Sequence, residues 1–385
     1  MKTRPADRRE FLMASLSSVG AALAASRSGD AATTGRAATT SAVESPRTPR
    51  IRFAAIGLNH DHIYGQVDAV IRGGGELVSF FAREKDLADA FAKRFPQAKA
   101  ARSEREILED PGLQLVVSAG VPNERGPLAV EAMRHGKDFM VDKPGMTTLE
   151  QLADVRRARA ETRRIYSVFY SERLENRATV KAGELMKAGA IGRVIQTIGL
   201  GPHRMNPSTR PAWFFERERY GGILCDIASH QFDQFLFFTG STRAEVVASQ
   251  VGNVHHEEHP GLEDFGDAIV RGDGGSGYVR VDWFTPDGLG TWGDGRLTIL
   301  GTEGFIEIRK NVDIAGRPGG DHLFLVDQKE TRYVDCRDVP LLYGEQLVDD
   351  VLHRTETAMP QEHCFRAMEL ALQAEQSAAR LSFEK

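Results

Sequence analysis

From Ile51 onward, short apolar runs alternate with stretches of helical period, and that alternation admits few folds. IRFAAIGL suits a strand buried on both faces, NHDHIYG reads as a loop, QVDAVIRG as a short helix and ELVSFFA as the next strand. DLADAFAKRFP follows as a helix stopped at Pro96, and SEREILED opens on Ser103 as a capping residue. LQLVVSAG is a strand, PLAVEAMRHG a helix ending in Gly136, and KDFMVDKPG another strand. TTLEQLADVRRARAET then forms a long helix with Thr148 as its N-cap, and RIYSVFYS closes the series as a strand. Strands joined by helical crossovers pair in parallel, so residues 50–169 are expected to form a doubly wound parallel sheet.

Beyond Tyr170 the texture changes. TVKAGELMKAGAIG reads as a helix and RVIQTIGLG as a strand. From 244 to 335 the chain is mostly alternating strands: AEVVASQVGN, GDAIVRG, GSGYVRVDWF, GRLTILGT and GFIEIRK. They predict a large, mostly antiparallel open sheet. QLVDDVLHRTE and CFRAMELALQAEQSAARL are terminal helices. The expected fold class is an α/β Rossmann domain followed by an α+β domain. Four segments result: 1–49 leader and linker, 50–169 Rossmann domain, 170–340 α+β domain, and 341–385 helices packing back on the Rossmann domain.

The 385 residues suffice for two cores, with 41% hydrophobic and 27% charged residues typical of a soluble globular protein. A formal charge of −5, without a basic stripe, argues against a nucleic-acid partner. Cys225, Cys336 and Cys364 are scattered and read as small buried residues. Residues 8–25, RREFLMASLSSVGAALAA, have the layout of a twin-arginine export signal cleavable near Ala22 to Ala25. The apolar stretch is too short and too rich in Ser and Gly to span a membrane, so no stable membrane insertion of the mature protein is expected. Ser26 to Arg50 reads as a linker, and the location as periplasmic or extracytoplasmic.

Two segments carry chemistry. GGILCDIASHQFD, at 221–233, sets Asp226 and His230 four residues apart, so on a helix both leave one face and can hold and deprotonate a single hydroxyl. FMVDKPG, at 139–145, puts Lys143 at the carboxyl end of a buried strand. The loop Gly57-Leu58-Asn59-His60-Asp61-His62 keeps only the first glycine of G-x-G-x-x-G. Asn59 can substitute by adopting positive φ, and His60 and His62, if protonated, can meet phosphate. After the second strand comes Ala82-Arg83-Glu84; Arg83 either meets the 2′-phosphate of NADP or is a solvated loop charge. The run His255-His256-Glu257-Glu258-His259 lacks ligand spacing for zinc and reads as a polar loop, so no metal is expected there. A cation at His60 and His62, at the mouth of the altered loop, is a separate and minor alternative.

These D-K-P and GG-x-x-x-D-x-x-x-H-x-x-D segments resemble the landmarks of the Gfo/Idh/MocA oxidoreductases, the family of glucose-fructose oxidoreductase and inositol dehydrogenase, from about residue 50 to the C-terminus. The resemblance implies catalytic roles for Lys143, Asp226 and His230, with His230 as base, Lys143 polarising the oxygen and Asp226 orienting His230 or binding a neighbouring hydroxyl. NAD or NADP, tightly bound, would lie against Gly57, Asn59, His60, His62, Arg83, Pro122, Asn123, Asp142 and Lys143. Gly126 stands where the family has a histidine. Tyr170, Glu172, Arg173, His203 and Trp213 occupy positions suited to a carbohydrate substrate. An exported enzyme meets little free nucleotide, which favours a redox-neutral reaction on a sugar, glycoside or polyol. Two alternatives stay open: glycoside cleavage by transient oxidation and elimination, and a non-catalytic carbohydrate-binding protein. The open sheet suggests a homo-oligomer, dimer or tetramer.

Overall fold

The computed structural model describes residues 49–382, so the twin-arginine segment lies outside the described residues. The first sheet is built by β1 (Ile51–Ile56), α1 (His62–Arg72), β2 (Gly75–Phe81), α2 (Lys85–Arg94), β3 (Lys99–Ala100), α3 (Glu104–Leu108), β4 (Leu115–Ser118), α4 (Pro122–Arg134), β5 (Asp138–Asp142), α5 (Leu149–Thr162) and β6 (Tyr166–Phe169). Its strand order is β3-β2-β1-β4-β5-β6, and every pairing is parallel. Every residue of β4, β5 and β6 is buried, which is why these strands read as unbroken apolar runs. Ser103 and Thr148 cap their helices as expected, accepting from the Glu106 and Gln151 amides.

Two helices begin earlier than the sequence reading, α4 at Pro122 rather than Pro127 and α1 within the expected loop. α1 begins at His62, inside the segment taken as a loop, because Ile63, Val67 and Val70 form one buried stripe that the intervening polar residues dilute. His62 therefore stands on the first turn of a helix. Between β1 and β4 the strand order reverses, which opens a crevice at the carboxyl ends of the sheet. Gly57 has φ +76, and a Cβ there would lie 2.8 Å from the Gly120 Cα, so the loops leaving β1 and β4 touch through bare backbone.

The second sheet follows α6 (Ser171–Leu174) and α7 (Arg177–Lys187). It comprises β7 (Val194–Pro202), β8 (Ala244–Gly252), β9 (Phe265–Gly272), β10 (Ser276–Asp282), β11 (Arg296–Gly301), β12 (Phe305–Arg309), β13 (His322–Val326), β14 (Thr331–Val334) and β15 (Ala379–Arg380). Between β7 and β8 come the short helices α8 (Arg217–Tyr220) and α9 (Ile223–Asp226), then α10 (Ser229–Thr239). The strand order is β14-β13-β12-β11-β7-β10-β9-β8-β15, antiparallel except for β7 with β10 and β8 with β15. After α11 (Tyr343–His353), which packs on α1, helix α12 (Gln361–Ser377) touches α5 and β6 of the first sheet as well as α9, α10 and β8. One helix thus ties the first sheet and the β8–β10 side of the second into one apolar core, while β11–β13 pack with α7 in a separate cluster.

Candidate active site

Lys143 is placed by the end of β5. Arg125, on α4, is fully buried and donates from Nε to the Gly120 carbonyl at 2.7 Å. Its Nη1 reaches the carbonyls of Asp142, Lys143 and Pro144 at 3.1, 2.6 and 2.9 Å, and its Nη2 the Asp142 Oδ2 at 3.2 Å. Asp142 Oδ1 accepts the Lys143 amide at 2.8 Å. The backbone around Lys143 is thereby fixed, and its Nζ donates to Asp226 Oδ1 at 2.8 Å, with the two side chains 5% and 13% exposed.

Asp226 is held from the other side. Gly221 and Gly222, at φ +93 and +91, turn the chain into α9. Glu263 Oε2 accepts the Ile223 amide and Glu375 Oε2 the Leu224 amide, both at 3.0 Å. Arg217 bridges the two carboxylates at 3.0 and 2.7 Å. A Cβ at Gly222 would sit 2.1 Å from the Glu375 Cδ, so the double glycine lets this clasp close on the helix start. Burial and the facing Glu263 push Glu375 up to about 7. Burial also works against Glu263, but the Ile223 amide and its other hydrogen bonds hold it below the usual range.

The expected single helix through Asp226 and His230 is broken into α9 and α10, with the His230 amide bonding the Ile227 carbonyl in a tightened turn. Asp226 therefore binds Lys143; it is not seen orienting His230. The His230 Nδ1 is buried and has no partner among the described residues. Burial, reinforced by Lys143 and opposed by Glu172, lowers His230 to about 4, and burial with the Lys143 charge lowers His203 to about 3. Glu172 lies in this group too, accepting from Gln231 at 3.1 Å, Gln234 at 3.3 Å and the Lys310 ammonium.

The remaining substrate candidates divide. Tyr170 stands edge-on to His230 with centroids 6.3 Å apart, while its hydroxyl turns toward the Cys364 carbonyl. Arg173 makes a bidentate pair with Asp233 at 2.6 and 2.8 Å, a position that anchors α6 to α10. The His203 ring packs on Trp283 and Trp292 at 5.4 and 4.5 Å, and Trp213 joins this aromatic group through Phe214. Arg125, Glu263, Lys310, Glu375, Trp283 and Trp292 were missed in the sequence, for their partners lie far along the chain and no spacing signals them.

The crevice between the loops leaving β1 and β4 is lined by Ile56, Gly57, Asn59, Arg83, Gly120, Asn123 and Arg125, whose guanidinium holds the Lys143 carbonyl. Several expectations change here. Asn59 is not among the positive-φ residues; its side chain bonds Glu84 at 2.9 Å. Burial and the neighbouring His62 push His60 well below its ordinary value, so it is a neutral ring rather than the protonated phosphate partner expected. Arg83 is engaged by Glu104 at 3.0 Å and Glu124 at 2.9 Å. Nonetheless the residues suit a dinucleotide. The Gly57–Gly120 contact leaves bare backbone, α1 starts with no side-chain cap and no acidic residue in its first turn, and the buried Asn123 Oδ1 has no partner among the described residues.

A doubly wound sheet with this crevice, facing a lysine, a carboxylate and a neutral histidine, defines an oxidoreductase of the nicotinamide-binding Rossmann class. The chain belongs to the Gfo/Idh/MocA family: residues 20–170 match the oxidoreductase family with NAD-binding Rossmann fold, and residues 179–307 match the GFO/IDH/MocA C-terminal domain. A solved structure from Erwinia carotovora atroseptica SCRI1043 is 48% identical with a TM-score of 0.84, covering 86% of this chain and all of that one. The scyllo-inositol 2-dehydrogenase (NAD(+)) of Bacillus subtilis is 27% identical over 67% of this chain and 74% of its own length. The levoglucosan dehydrogenase of Pseudarthrobacter phenanthrenivorans is 29% identical over 51% of each.

The buried histidines set a pH dependence. In the unfolded chain they take up protons near 6.5, whereas folded His230 and His203 resist until about 4 and 3, so their stability is intact above 6.5 and is lost as pH falls from there. Glu375 has the opposite sign, losing stability as pH rises toward 7, and offsets part of the effect. Two histidines outweigh one carboxyl. Urea unfolding is expected to show a loss of about 1–3 kcal/mol between pH 7 and 5. In His230→Asn that slope should be shallower; an unchanged slope would contradict the assignment.

Proposed function

We propose that this chain oxidises or reduces a hydroxyl of a sugar, glycoside or polyol, with NAD held in the crevice between the β1 and β4 loops. The observation that carries the reading is the Lys143–Asp226 pair lying beside a buried, unpartnered His230 Nδ1. Gly57, Asn59, Pro122 and Asn123 would hold the cofactor, which when bound supplies the hydride acceptor. His230, kept neutral by burial, takes the hydroxyl proton. Lys143 Nζ donates to the same oxygen, and Asp226 Oδ1 keeps the ammonium aimed at it. The aromatic group of Trp213, Trp283, Trp292 and His203 offers ring faces for a sugar. Sugar and polyol dehydrogenases among the relatives support this substrate class.

The charge around Arg83 favours NAD over NADP. One guanidinium stands among Glu84, Glu104 and Glu124, with Arg219 3.5 Å from Glu124, so a 2′-phosphate would enter a net negative setting. We also infer that the chain is exported through the arginine pair at 8–9, retains its nucleotide through turnover in a redox-neutral cycle, and pairs with a second copy. The exposed Ile269, Leu300, Phe305 and Tyr333 on the nine-stranded sheet support pairing. No described helix is long and apolar enough to cross a membrane.

Nicotinamide absorbance followed over a panel of inositols, hexoses and anhydro-sugars tests the reading. Lys143→Met and His230→Ala should each lower the turnover of the folded protein by about 10²–10⁴-fold, Lys143→Met also losing stability because Asp226 is left unpaired; full activity in Lys143→Met would overturn it. Fluorescence titration should give at least about tenfold weaker binding of NADP than NAD, a gap that narrows in Glu104→Gln/Glu124→Gln. Equal affinities in the unmodified protein would contradict the charge argument. Fractionation and light scattering of the exported form should find a periplasmic dimer or tetramer, and a cytoplasmic monomer would refute both assignments.

A further inference from the structure

His62, at the third glycine position of the altered loop, and His60, two residues before it, both turn toward Asp142. His62 Nδ1 is 2.8 Å from Asp142 Oδ1, and His60 Nδ1 is 3.4 Å from Asp142 Oδ2. One ligand atom from each of the three side chains falls within a single 4.8 Å span. The rings approach from different directions, with centroids 4.1 Å apart and planes at 68°. On a tetrahedral centre with bonds of about 2.0–2.1 Å, neighbouring ligand atoms lie about 3.4 Å apart. The separation of His60 Nδ1 from Asp142 Oδ2 already has that value, whereas His62 Nδ1 lies nearer the other carboxylate oxygen, Oδ1, and would have to move away from it by about half an ångström.

We propose that His60, His62 and Asp142 form a binding site for one divalent transition-metal ion of the zinc or iron class, with open coordination positions for an oxygen ligand. Two imidazoles and one carboxylate are the donor set that suits such ions, and three protein ligands leave positions for water, an alcohol or a carboxylate. Access exists: the His60 and His62 side chains are 27% and 36% exposed. The scaffold is rigid, because Asp142 is fixed by Arg125 and the Lys143 amide, and the His60 amide is held by the Ala119 carbonyl at 3.0 Å. Two contacts must yield, the 2.8 Å hydrogen bond between His62 Nδ1 and Asp142 Oδ1 and a 3.3 Å bond from the His62 amide to His60 Nδ1. The nearby cations are compensated, Arg125 by Asp142 and four carbonyls and Lys143 by Asp226. Asp142 immediately precedes Lys143 in the chain, so a cation here would sit beside the reactive oxygen's expected place. The HHEEH run at 255–259 is not equivalent: His256 is tied by its ring to Asp264 at 2.9 Å, and His259 stacks on Phe215.

The test uses the full chain after dialysis against a chelator. Calorimetric titration with Zn²⁺ and the visible spectrum on adding Co²⁺ should show one ion per chain. The His60→Ala/His62→Ala variant should weaken binding by at least the roughly 10–100-fold that loss of a mere supporting contact brings. Asp142→Asn should do the same. If these variants fail to fold, anomalous scattering from crystals of the unmodified protein soaked in Zn²⁺ decides, with a peak expected within bonding distance of all three residues. No saturable binding, full binding in the double histidine variant, or a peak at residues 255–259 instead would each overturn the proposal. Because the readout is bound metal, failure here leaves the dehydrogenase reading standing.

Discussion

The Lys143–Asp226 ion pair is the interaction on which the rest of the structure depends. Both groups are nearly withdrawn from water, and such a pair repays its desolvation only if its geometry is held from outside. Removing one partner from a buried pair costs about 3–5 kcal/mol, mostly because the other charge is left alone. Here the geometry is held at both ends. Arg125 staples the backbone around Lys143 to the neighbouring loop, and Glu263 and Glu375 cap the short helix that ends in Asp226. The two segments lie 83 residues apart in sequence and in different sheets' territory. Their meeting explains why an apolar strand ends in Asp-Lys-Pro and why a double glycine precedes Asp226.

A second consequence concerns charge. Ammonium, guanidinium, carboxylate and imidazole groups lie buried around Lys143 and His230, yet the compensation is local. Lys143 is matched by Asp226, Lys310 by Glu172, and Arg173 by Asp233. His230 is left as a neutral ring with one open nitrogen, the state a proton acceptor needs at neutral pH.

Much of the fold was legible in the sequence because parallel strands buried on both faces leave unbroken apolar runs, as LQLVVSAG and FMVDKPG do. The start of α1 was not, since His60, Asp61 and His62 mask the stripe of Ile63, Val67 and Val70. β13 and β14 were also missed: they are only five and four residues long, although Pro318-Gly319-Gly320 before β13 marks a turn. Lys143, Asp226 and His230 were legible by motif, but the partner of Asp226 was not. A four-residue spacing places two side chains on one face only if the helix is continuous, and here it breaks after Asp226. Arg83 shows the complementary limit. Its charge could be read from the chain, whereas its engagement by Glu104 and Glu124 depends on how two other loops fold over it.

The central claim is that the cross-sheet pair, the open His230 nitrogen and the Gly57–Gly120 crevice form one hydride-transfer site. A crystal structure of the chain with NAD measures this most directly. The account requires the nicotinamide ring to lie against Lys143 and His230, with the pyrophosphate at the start of α1. A ring bound remote from Lys143, or a crevice that admits no nucleotide because His60 and His62 fill it, would contradict it.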